Sequence, residues 1–342
     1  MELDLLWERL FSEDGVAVDT AWKGLDRDEQ RAVREMLQTI STDGERIEEQ
    51  RRAARFALTI VEATNVEGLP EGALAFAREL AHRVGARLRE NEGLLIASLK
   101  QDGTLVTEYD LEADRTIARE IRARYPDHGI LSEEQSHLFG SERWTWVIDP
   151  IDGTSNFTWG FPTWGVLIAL LLDGFPVMGV ADFPMMGHQF YGVDLPNQRG
   201  AWLNEAPIRA AHETALAQTQ LYSACSRTLR YGRPNLPGKV RISGSTGFDL
   251  AMLARGSVIG VIQQSVHVWD VAAMWPIVRA AGATVSPSLS EALFPLIPGM
   301  DYGDAGFAIL GACTVGMEAA LKERLADRFS ATQSLRQATG TT

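Results

Sequence analysis

Two carboxylates, Asp149 and Asp152, stand three residues apart at the end of a strand-like segment. The preceding residues, Trp144 to Ile148, are mostly aromatic or β-branched and alternate in the way typical of a strand. Pro150 predicts that the strand stops there, because proline lacks the backbone donor that a central strand needs. We therefore expect both acids to leave the end of a buried strand close to each other.

Gly153 and Thr154 follow directly and predict a helix or tight turn whose backbone N–H groups point outward. Carboxylates beside free N–H groups indicate a place where a cation and an anion meet. A calcium loop of the EF-hand type starting at Asp149 is excluded, because Ile151, Gly153 and Gly160 occupy positions that need oxygen-bearing side chains. An ordinary turn remains the alternative for this segment taken alone, since Asp, Pro and Gly are common turn residues.

Three further acids, Asp110, Glu133 and Asp270, also stand at the ends of predicted elements rather than on exposed faces. Carboxylates brought together in this way repel one another and raise each other's pKa unless a cation neutralises them. Hard cations prefer oxygen ligands, and Mg²⁺ is the usual one where phosphate is handled. The acids therefore predict a magnesium site that also binds phosphate.

Four segments resemble the motifs of the inositol monophosphatase family. Asp149-Pro-Ile-Asp-Gly-Thr-Ser-Asn-Phe157 is similar to its first signature, and Trp269-Asp-Val-Ala-Ala273 with Ala281-Gly282 is similar to its second. Lys100-x-Asp-Gly-x-x-Val-Thr-x-x-Asp110 and Ser132-Glu133-Glu134 resemble the two upstream motifs. All four occur in the family's order within about residues 72–320, and this joint pattern is highly specific.

The resemblance implies an α+β fold, a layered α/β/α/β/α sandwich of the inositol monophosphatase and fructose bisphosphatase type. It also implies hydrolysis of a small phosphate monoester without a covalent phospho-enzyme. Two or three Mg²⁺ ions would be held by the side chains of Glu133, Asp149, Asp152 and Asp270 and by the carbonyl of Ile151. Two metals close together can stabilise both the attacking and the leaving oxygen of an in-line displacement.

The resemblance assigns the remaining catalytic roles to residues near these ligands. Thr154 and Asp110 would pair to orient and deprotonate the attacking water, and Glu133 is counted with them as catalytic. The backbone N–H groups of Gly153 and Thr154 would bind phosphate oxygens, as helix N-termini do.

The motifs define the substrate-binding residues less clearly than the metal ligands. Gly244 and Ser245 look like the family's substrate-side turn, but a glycine turn with a helix cap at Ser245 explains them equally well. Gln263 stands seven residues before Asp270, where inositol-specific members often carry a substrate-binding Glu. An amide still binds a hydroxyl, but a substrate ammonium loses its charge partner.

The resemblance implies several candidate substrates. Inositol 1-phosphate is the leading one, with histidinol phosphate and fructose 1,6-bisphosphate as alternatives within the family. The alternative from another class is a non-catalytic metal-binding protein that acts through its N-terminal helices as an interaction partner.

The chain divides into a helical extension (1–65), a catalytic domain (66–325, with subdomains of about 66–195 and 196–325) and a polar tail (326–342). Within the domain, the patterns predict a helix from Ala73 to Asn91, an antiparallel meander after residue 163, and one helix from Val268 to about Gly282. No residues of the extension have the spacing of a catalytic site, and we interpret the extension as a helical segment that packs on the main domain or on a partner subunit. A docking module is the alternative.

Composition argues against other classes of partner. The net charge of -13 disfavours nucleic acid, and two cysteines provide neither a disulfide framework nor a zinc cluster. The apolar run Val166 to Leu172 is shorter than the roughly 20 residues that cross a bilayer, and the acidic N-terminus lacks the basic start of a signal peptide. We expect a cytoplasmic protein without a membrane partner, and the resemblance implies a homodimer.

Overall fold

The computed structural model describes residues 3–12, 15–43, 46–64, 68–91, 98–99, 105–230, 234, 236–287, 293–304 and 306–325 of the 342. Lys100, Asp102 and Gly103 of the first upstream motif and the predicted tail 326–342 lie outside the described residues. None of the described helices has the length and apolar character to span a membrane.

Four helices form the N-terminal region: α1 (Leu3–Leu10), α2 (Gly15–Lys23), α3 (Arg27–Thr42) and α4 (Glu48–Thr64). α3 begins at a capping box, in which Asp26 and Glu29 each accept a hydrogen bond of 2.9 Å from the other's backbone N–H. The apolar faces of the four helices meet, so that Leu10, Val18 and Leu37 are fully buried.

An aromatic contact joins this helical region to the main domain. Phe56 of α4 is 2% exposed and packs edge-on against Phe175, with the ring centroids 4.9 Å apart. Phe175 packs in turn on Phe294, and Phe294 packs on Trp275. The extension therefore packs on the main domain, which is one of the arrangements that the sequence predicts.

Phe56→Ala is expected to lower the free energy of unfolding by about 3 kcal/mol, because it removes a buried ring and leaves a cavity at this junction. Leu5→Ala on α1 is the control: Leu5 is 41% exposed, so its loss should cost less than about 0.5 kcal/mol. Urea denaturation measures both. Equal effects of the two substitutions would show that the Phe56 contact does not hold the extension in place.

The first layer of the main domain consists of two helices and a hairpin: α5 (Ala73–Arg89), β1 (Ser98–Leu99), β2 (Leu105–Val106) and α6 (Glu108–Arg124). The predicted helix from Ala73 to Asn91 is thus confirmed to within two residues. α6 begins at a capping box between Thr107 and Asp110. This cap matters for the site, because it fixes the Asp110 carboxylate at the start of the helix.

The first sheet has seven strands: β3 (Gly129–Ser132), β4 (Trp144–Asp152), β5 (Gly165–Leu172), β6 (Phe175–Phe183), β7 (His188–Leu195), β8 (Gln198–Leu203) and β9 (Ala206–Pro207). They lie side by side in chain order, with β3 parallel to β4 and all other neighbours antiparallel, which confirms the predicted meander. The expected subdomain boundary at 195 falls between β7 and β8, which are paired, and the sheet ends only after β9.

The second sheet has five strands in the order β11-β10-β12-β14-β13: β10 (Leu221–Ala224), β11 (Lys239–Arg241), β12 (Gly260–Val266), β13 (Thr284–Pro287) and β14 (Phe307–Ala312). Five further helices are α7 (Thr154–Trp159), α8 (Ser226–Arg230), α9 (Thr246–Ala254), α10 (Val268–Ala272) and α11 (Met274–Ala280), and residues 315–325 are also helical.

These elements stack in layers. α5 and α6 cover one face of the first sheet, and α9, α10 and α11 lie between its other face and the second sheet. In β5, Val166, Ile168 and Leu170 belong to the core under α5 and α6, whereas Leu167 and Ala169 belong to the core shared with the second sheet. A strand buried on both faces in this way explains why the run Val166–Leu172 is continuously apolar.

The prediction that β4 stops at Pro150 is wrong. β4 continues to Asp152, and its pairing with β5 shifts register between Asp149 and Asp152, where a bulge accommodates the proline. Because residues in a bulge leave the ladder of hydrogen bonds, the missing N–H of Pro150 costs nothing there. The bulge also determines how the two carboxylates project from the strand.

The predicted helix from Val268 to about Gly282 is interrupted rather than continuous: α10 and α11 meet at Ala273, which itself keeps a helical φ of -69° and ψ of -36°. Pro276 has no N–H to donate to the carbonyl four residues earlier, which favours a break at this point. The junction packs directly on Gly179 of β6, where an added Cβ would lie 1.8 Å from the Ala273 oxygen. This close approach fixes α10, and with it Asp270, against the first sheet.

Candidate active site

A cleft of about 380 Å³ opens between the end of β4 and the end of β12. The five predicted metal ligands all line it: Glu133, Asp149, Ile151, Asp152 and Asp270. Gly153, Thr154 and Gly244 line it as well. The structure thus brings together residues that are more than 100 positions apart in the chain.

The Asp149 carboxylate lies at the base of the cleft and is almost fully buried. Its Oδ1 accepts a hydrogen bond from the N–H of Ile151 at 3.1 Å, which closes the bulge of β4 around it. Glu133 enters from the parallel neighbour β3, held by a 3.2 Å hydrogen bond from its N–H to the carbonyl of Ile148. The two acids therefore come from adjacent strand ends of one sheet.

Asp152 is held from the opposite side by the N-terminus of α9. Its carboxylate accepts hydrogen bonds from the N–H groups of Thr246 at 3.1 Å and Gly247 at 2.9 Å, and from the hydroxyl of Ser245. A helix N-terminus stabilises a carboxylate through its free N–H groups and its dipole. Gly247 is required here, because a Cβ would lie 2.7 Å from the Asp152 Oδ2.

Ser245 is the N-cap of α9, which is one of the two roles that its sequence context leaves open. Its Oγ accepts a hydrogen bond from the N–H of Phe248 at 3.0 Å and donates to Asp152, and the residue is 4% exposed. The side chain is thus engaged by protein groups, while its neighbour Gly244 faces the cleft.

Thr154 and Asp110 form the pair that the family resemblance implies. The Thr154 Oγ1 lies 3.2 Å from the Asp110 Oδ1 and 3.1 Å from the carbonyl oxygen of Ile151. Asp110 is fully buried, and its Oδ2 accepts from the N–H of Thr107 at 2.8 Å and from the Thr107 hydroxyl at 2.5 Å. Because its other oxygen is held in the α6 cap, Asp110 presents Oδ1 to Thr154 in a fixed orientation.

Gly153 and Asn156 shape the turn that carries Thr154. Gly153 has a φ of 89°, a left-handed conformation that favours glycine, and a Cβ there would lie 3.1 Å from the Thr163 oxygen. The Asn156 amide donates to the carbonyls of Thr163 at 2.6 Å and of Ser243 at 2.8 Å. Asn156 therefore ties the Thr154 turn to the Gly244 turn across the cleft.

The electrostatics of the acids favour binding of a cation. Burial raises the pKa of Asp149 well above its ordinary range, and repulsion from Glu133, Asp152 and Asp270 raises it further. Burial also raises the pKa of Asp152 to about 7, although the hydrogen bond from Ser245 opposes this shift. A hydrogen bond between the Asp149 and Glu133 carboxyl groups also raises the pKa of Asp149.

These donors fit Mg²⁺. They are carboxylate and carbonyl oxygens, the ligands that hard cations prefer, and they come from rigid strand and helix ends. Within the described ranges, no three His, Cys, Asp or Glu side chains already form a complete metal-binding group.

A stack of three rings forms the rim beside Asp270. Trp269 lies between His267, with centroids 4.9 Å apart, and His137, with centroids 5.3 Å apart. His137 Nε2 lies 2.7 Å from the carbonyl oxygen of Glu133, and the N–H of His267 donates to Asp270 at 2.8 Å. The stack therefore links the backbone at one predicted metal ligand to the segment that carries another. No sequence motif identifies His137 and His267, because a magnesium site does not require histidine.

Gln263 does not line the cleft, contrary to its predicted substrate contact. It is 3% exposed in β12, and its amide donates to the buried Asp249 at 2.8 Å. Among the cleft-lining residues that sequence reasoning missed are Arg227, Ser265 and Asp304. Ser265 lies two residues after Gln263 in the same strand, where β12 bulges at its end. Strand pairing places it there, which no local motif reveals.

Comparison with known proteins shows what the chain is similar to. Residues 70–332 match the sequence model of the inositol monophosphatase family. "Nus factor SuhB" of Xylella fastidiosa is 38% identical over 190 residues, which cover 52% of this chain and 67% of that protein. "Inositol-1-monophosphatase" of Synechocystis is 36% identical over 195 residues, 54% of this chain and 67% of that protein.

Other relatives carry the names histidinol-phosphatase, from Chlorobaculum parvum at 33% identity, and fructose-1,6-bisphosphatase/inositol-1-monophosphatase, from Thermotoga maritima at 31%. Among solved structures, a Thermotoga maritima IMPase superposes with a TM-score of 0.63 at 27% identity. The match covers 75% of this chain and 98% of that one. The matched region excludes the helices α1–α4.

Proposed function

We propose that this chain, which belongs to the inositol monophosphatase family, hydrolyses inositol 1-phosphate or a similar small phosphate monoester by direct attack of water. Members of the family are phosphoric monoester hydrolases, and this chain is one by its family and fold. The observation that supports the proposal most is the Thr154–Asp110 pair, 3.2 Å apart, beside a cleft lined with carboxylates that repel one another.

The acids of the cleft are proposed to bind the metal. Two or three Mg²⁺ ions would be held by Glu133, Asp149, Asp152, Asp270 and the carbonyl of Ile151. When bound, they supply the positive charge that an in-line displacement needs at its attacking and leaving oxygens.

The protein's own groups then orient the water and move its proton. When Thr154 directs its hydroxyl proton to the Asp110 Oδ1, a lone pair on its oxygen is free to accept a hydrogen bond from the attacking water. Asp110, held by Thr107, takes up the proton relayed through Thr154. The N–H groups of Gly153 and Thr154 bind phosphate oxygens at the start of α7.

Two alternatives concern the substrate and one concerns the class. Histidinol phosphate and fructose 1,6-bisphosphate remain candidates within the family. Because Gln263 is buried and neutral, the position that often carries a substrate-binding acid in the family offers no partner for an ammonium, which disfavours histidinol phosphate. A non-catalytic metal-binding interaction protein is the alternative from another class, and it is disfavoured by the intact Thr154–Asp110 pair.

Phosphate release from a panel of monoesters tests the proposal. The panel contains inositol 1-phosphate, histidinol phosphate and fructose 1,6-bisphosphate, each assayed with Mg²⁺ and with EDTA. Turnover that requires Mg²⁺ and is fastest on inositol 1-phosphate is the expected result. Faster turnover of another monoester would change the proposed substrate but would leave the proposed phosphatase reaction unchanged. No release from any member with Mg²⁺ would favour the non-catalytic alternative.

The cytoplasmic location and the homodimer are proposed on the family resemblance. Sedimentation equilibrium of the full chain measures the oligomeric state directly. A single species at twice the mass of the chain is expected, and a monomer across the working concentration range would refute the dimer.

A further inference from the structure

We propose that a groove between the N-terminal helices α1, α3 and α4 binds an acidic amphipathic helix of a partner protein. The groove belongs to the helical extension, which lies outside the region matched by the family model. The proposal is therefore independent of the proposed phosphatase activity. It assigns an interaction to a segment for which the sequence leaves packing and docking open.

The groove is large and lined mainly by apolar side chains. Its volume is about 780 Å³, compared with about 380 Å³ for the candidate active-site cleft. Ile47 is 61% exposed and Met36 is 50% exposed, while Trp7 and Phe11 are half-buried at its side. Large apolar side chains that remain exposed around one concave surface indicate an interaction site.

The apolar side chains have the spacing that receives a helix. The N–H of Phe11 donates to the carbonyl of Trp7 at 2.9 Å, and their rings stack with centroids 5.6 Å apart. Met36 and Ile40 are also four residues apart, in the second half of α3. Side chains spaced by four form ridges, and the groove between two ridges accommodates a ridge of a further helix. Helix-in-groove binding uses such apolar contacts as anchors.

The charge of the groove favours an acidic partner. Arg46 and Arg52 line it, and none of the described lining residues is Asp or Glu, although the whole chain has 45 acidic and 32 basic residues. Arg46 lies 3.6 Å from Asp43 in an exposed ion pair. Because an exposed pair of this kind contributes little, a carboxylate on a bound helix can compete for the guanidinium. Acidic residues beside the apolar face of the partner helix would complement both arginines.

Two occupants from this chain fit the groove less well. The C-terminal residues 328–342 contain Arg328 and Arg336 but no Asp or Glu, so their charge has the same sign as that of the groove. A second copy that used the same surface would place one concave groove against another. A symmetric dimer requires a surface that is complementary to itself, which a concave groove is not.

Two designed peptides of about 16 residues test the proposal. Both carry Leu at positions i, i+3, i+4, i+7 and i+11 of a helix, and the flanking positions are Glu in one peptide and Lys in the other. Fluorescence anisotropy of the dye-labelled peptides measures their binding to the full chain. We expect the acidic peptide to bind at least about 10-fold more tightly, whereas non-specific attraction to a chain of net charge -13 would favour the basic one. Equal affinities, tighter binding of the basic peptide, or binding of neither would overturn the proposal.

Substitutions at exposed positions locate the binding site. Ile47→Glu and Met36→Glu should each weaken binding of the acidic peptide about 10-fold or more, because each places a like charge among the apolar anchors. Val315→Glu is the matched control at a position that is 74% exposed and outside the groove, and it should change the affinity less than about twofold. Arg46→Glu should weaken binding of the acidic peptide and strengthen binding of the basic one. Unchanged affinity in both Ile47→Glu and Met36→Glu would refute the groove as the site.

Two further measurements distinguish the occupants from this chain. A peptide of residues 326–342 that binds more tightly than the acidic peptide, and loses its affinity in Ile47→Glu, would identify the C-terminal residues as the occupant and refute a partner helix. A dimer in sedimentation that dissociates in Ile47→Glu would identify a second copy in the same way. None of these measurements uses turnover, so their outcome does not depend on whether the protein releases phosphate.

Discussion

Asp149→Asn is expected to lower kcat by at least about 10³-fold while making the metal-free protein more stable. The carboxylate is proposed to help hold the Mg²⁺ ions, and a metal at the reacting oxygens is worth several kcal/mol of transition-state stabilisation. Without metal, the same carboxylate is buried among Glu133, Asp152 and Asp270, which repel it. Asparagine removes that repulsion and keeps the size of the side chain.

Two melting experiments, one in EDTA and one with Mg²⁺, should rank the stabilities of Asp149→Asn and the parent in opposite orders. In EDTA, the variant should melt about 1 to 2 °C higher than the parent, the shift that about 1 kcal/mol produces in a chain of 342 residues. With Mg²⁺, the parent should gain stability by binding the ion, and the variant should gain little. An equal gain with Mg²⁺ in both proteins would show that Asp149 does not bind the metal.

Asp194→Asn is the matched control. It is the same chemical change at an acid that pairs with Arg199 at 3.0 Å and Arg279 at 2.9 Å, away from the cleft. Removing this charge should lower the melting temperature with and without Mg²⁺ and leave kcat unchanged. Opposite stability effects of two identical substitutions would identify the cleft as the place that lacks a cation.

Thr154→Val is expected to lower kcat about 10²- to 10⁴-fold, the range for losing a positioned proton-transfer group. Valine keeps the β-branched shape at the start of α7, so the turn is preserved while the hydroxyl that contacts Asp110 and Ile151 is lost. The Mg²⁺ concentration for half-maximal rate should change little. Thr154→Ser, which restores the hydroxyl, should recover most of the activity.

Two comparisons sharpen this result. Thr158→Val removes a hydroxyl from the same helix, where it contacts only the carbonyl of Thr154 at 2.8 Å, and should keep kcat within about twofold. Asp110→Asn should cost about as much as Thr154→Val, and the double variant little more than either, because the two residues act as a unit. Additive losses, or a parent-like rate in Thr154→Val, would contradict the proton path.

Most of the acids of the site could be placed from the sequence because they stand shortly after apolar runs, which form buried elements and bring the acids to strand or helix ends. Glu133 and Asp149 follow neighbouring parallel strands, and Asp270 follows β12. The family resemblance added the order of the motifs and the pairing of Thr154 with Asp110. The layered fold and the antiparallel meander could be predicted for the same reasons.

The contacts that hold the site residues in place could not be predicted from local sequence patterns. Pro150 argues for the end of a strand by its own chemistry, and only the pairing of β4 with β5 shows that it lies in a bulge. Ser245 and Gly247 hold Asp152 from more than 90 residues away. Contacts of this kind depend on how two sheets meet, for which the sequence around each residue carries no signal.

Gln263 and Arg227 show the same limit on the substrate side. Motif spacing places Gln263 at a substrate position, but its partner Asp249, with a pKa raised by burial to about 7, draws it into the core. Arg227 has no motif at all and becomes notable only because β10 and β12 run parallel and end at the same edge.

The two walls of the cleft belong to different sheets, and this division has an evolutionary consequence. The pair proposed to activate water and most of the proposed metal ligands come from the segment between Asp110 and Thr154, whereas Arg227, Gly244 and Ser265 line the cleft from residues 226–265. Mutations among residues 226–265 can therefore change substrate preference, while selection for catalysis preserves the segment between Asp110 and Thr154. A lineage built on this scaffold can diversify its metabolism by single substitutions, and chimaeras that exchange residues 221–266 between relatives should transfer preference without transferring rate.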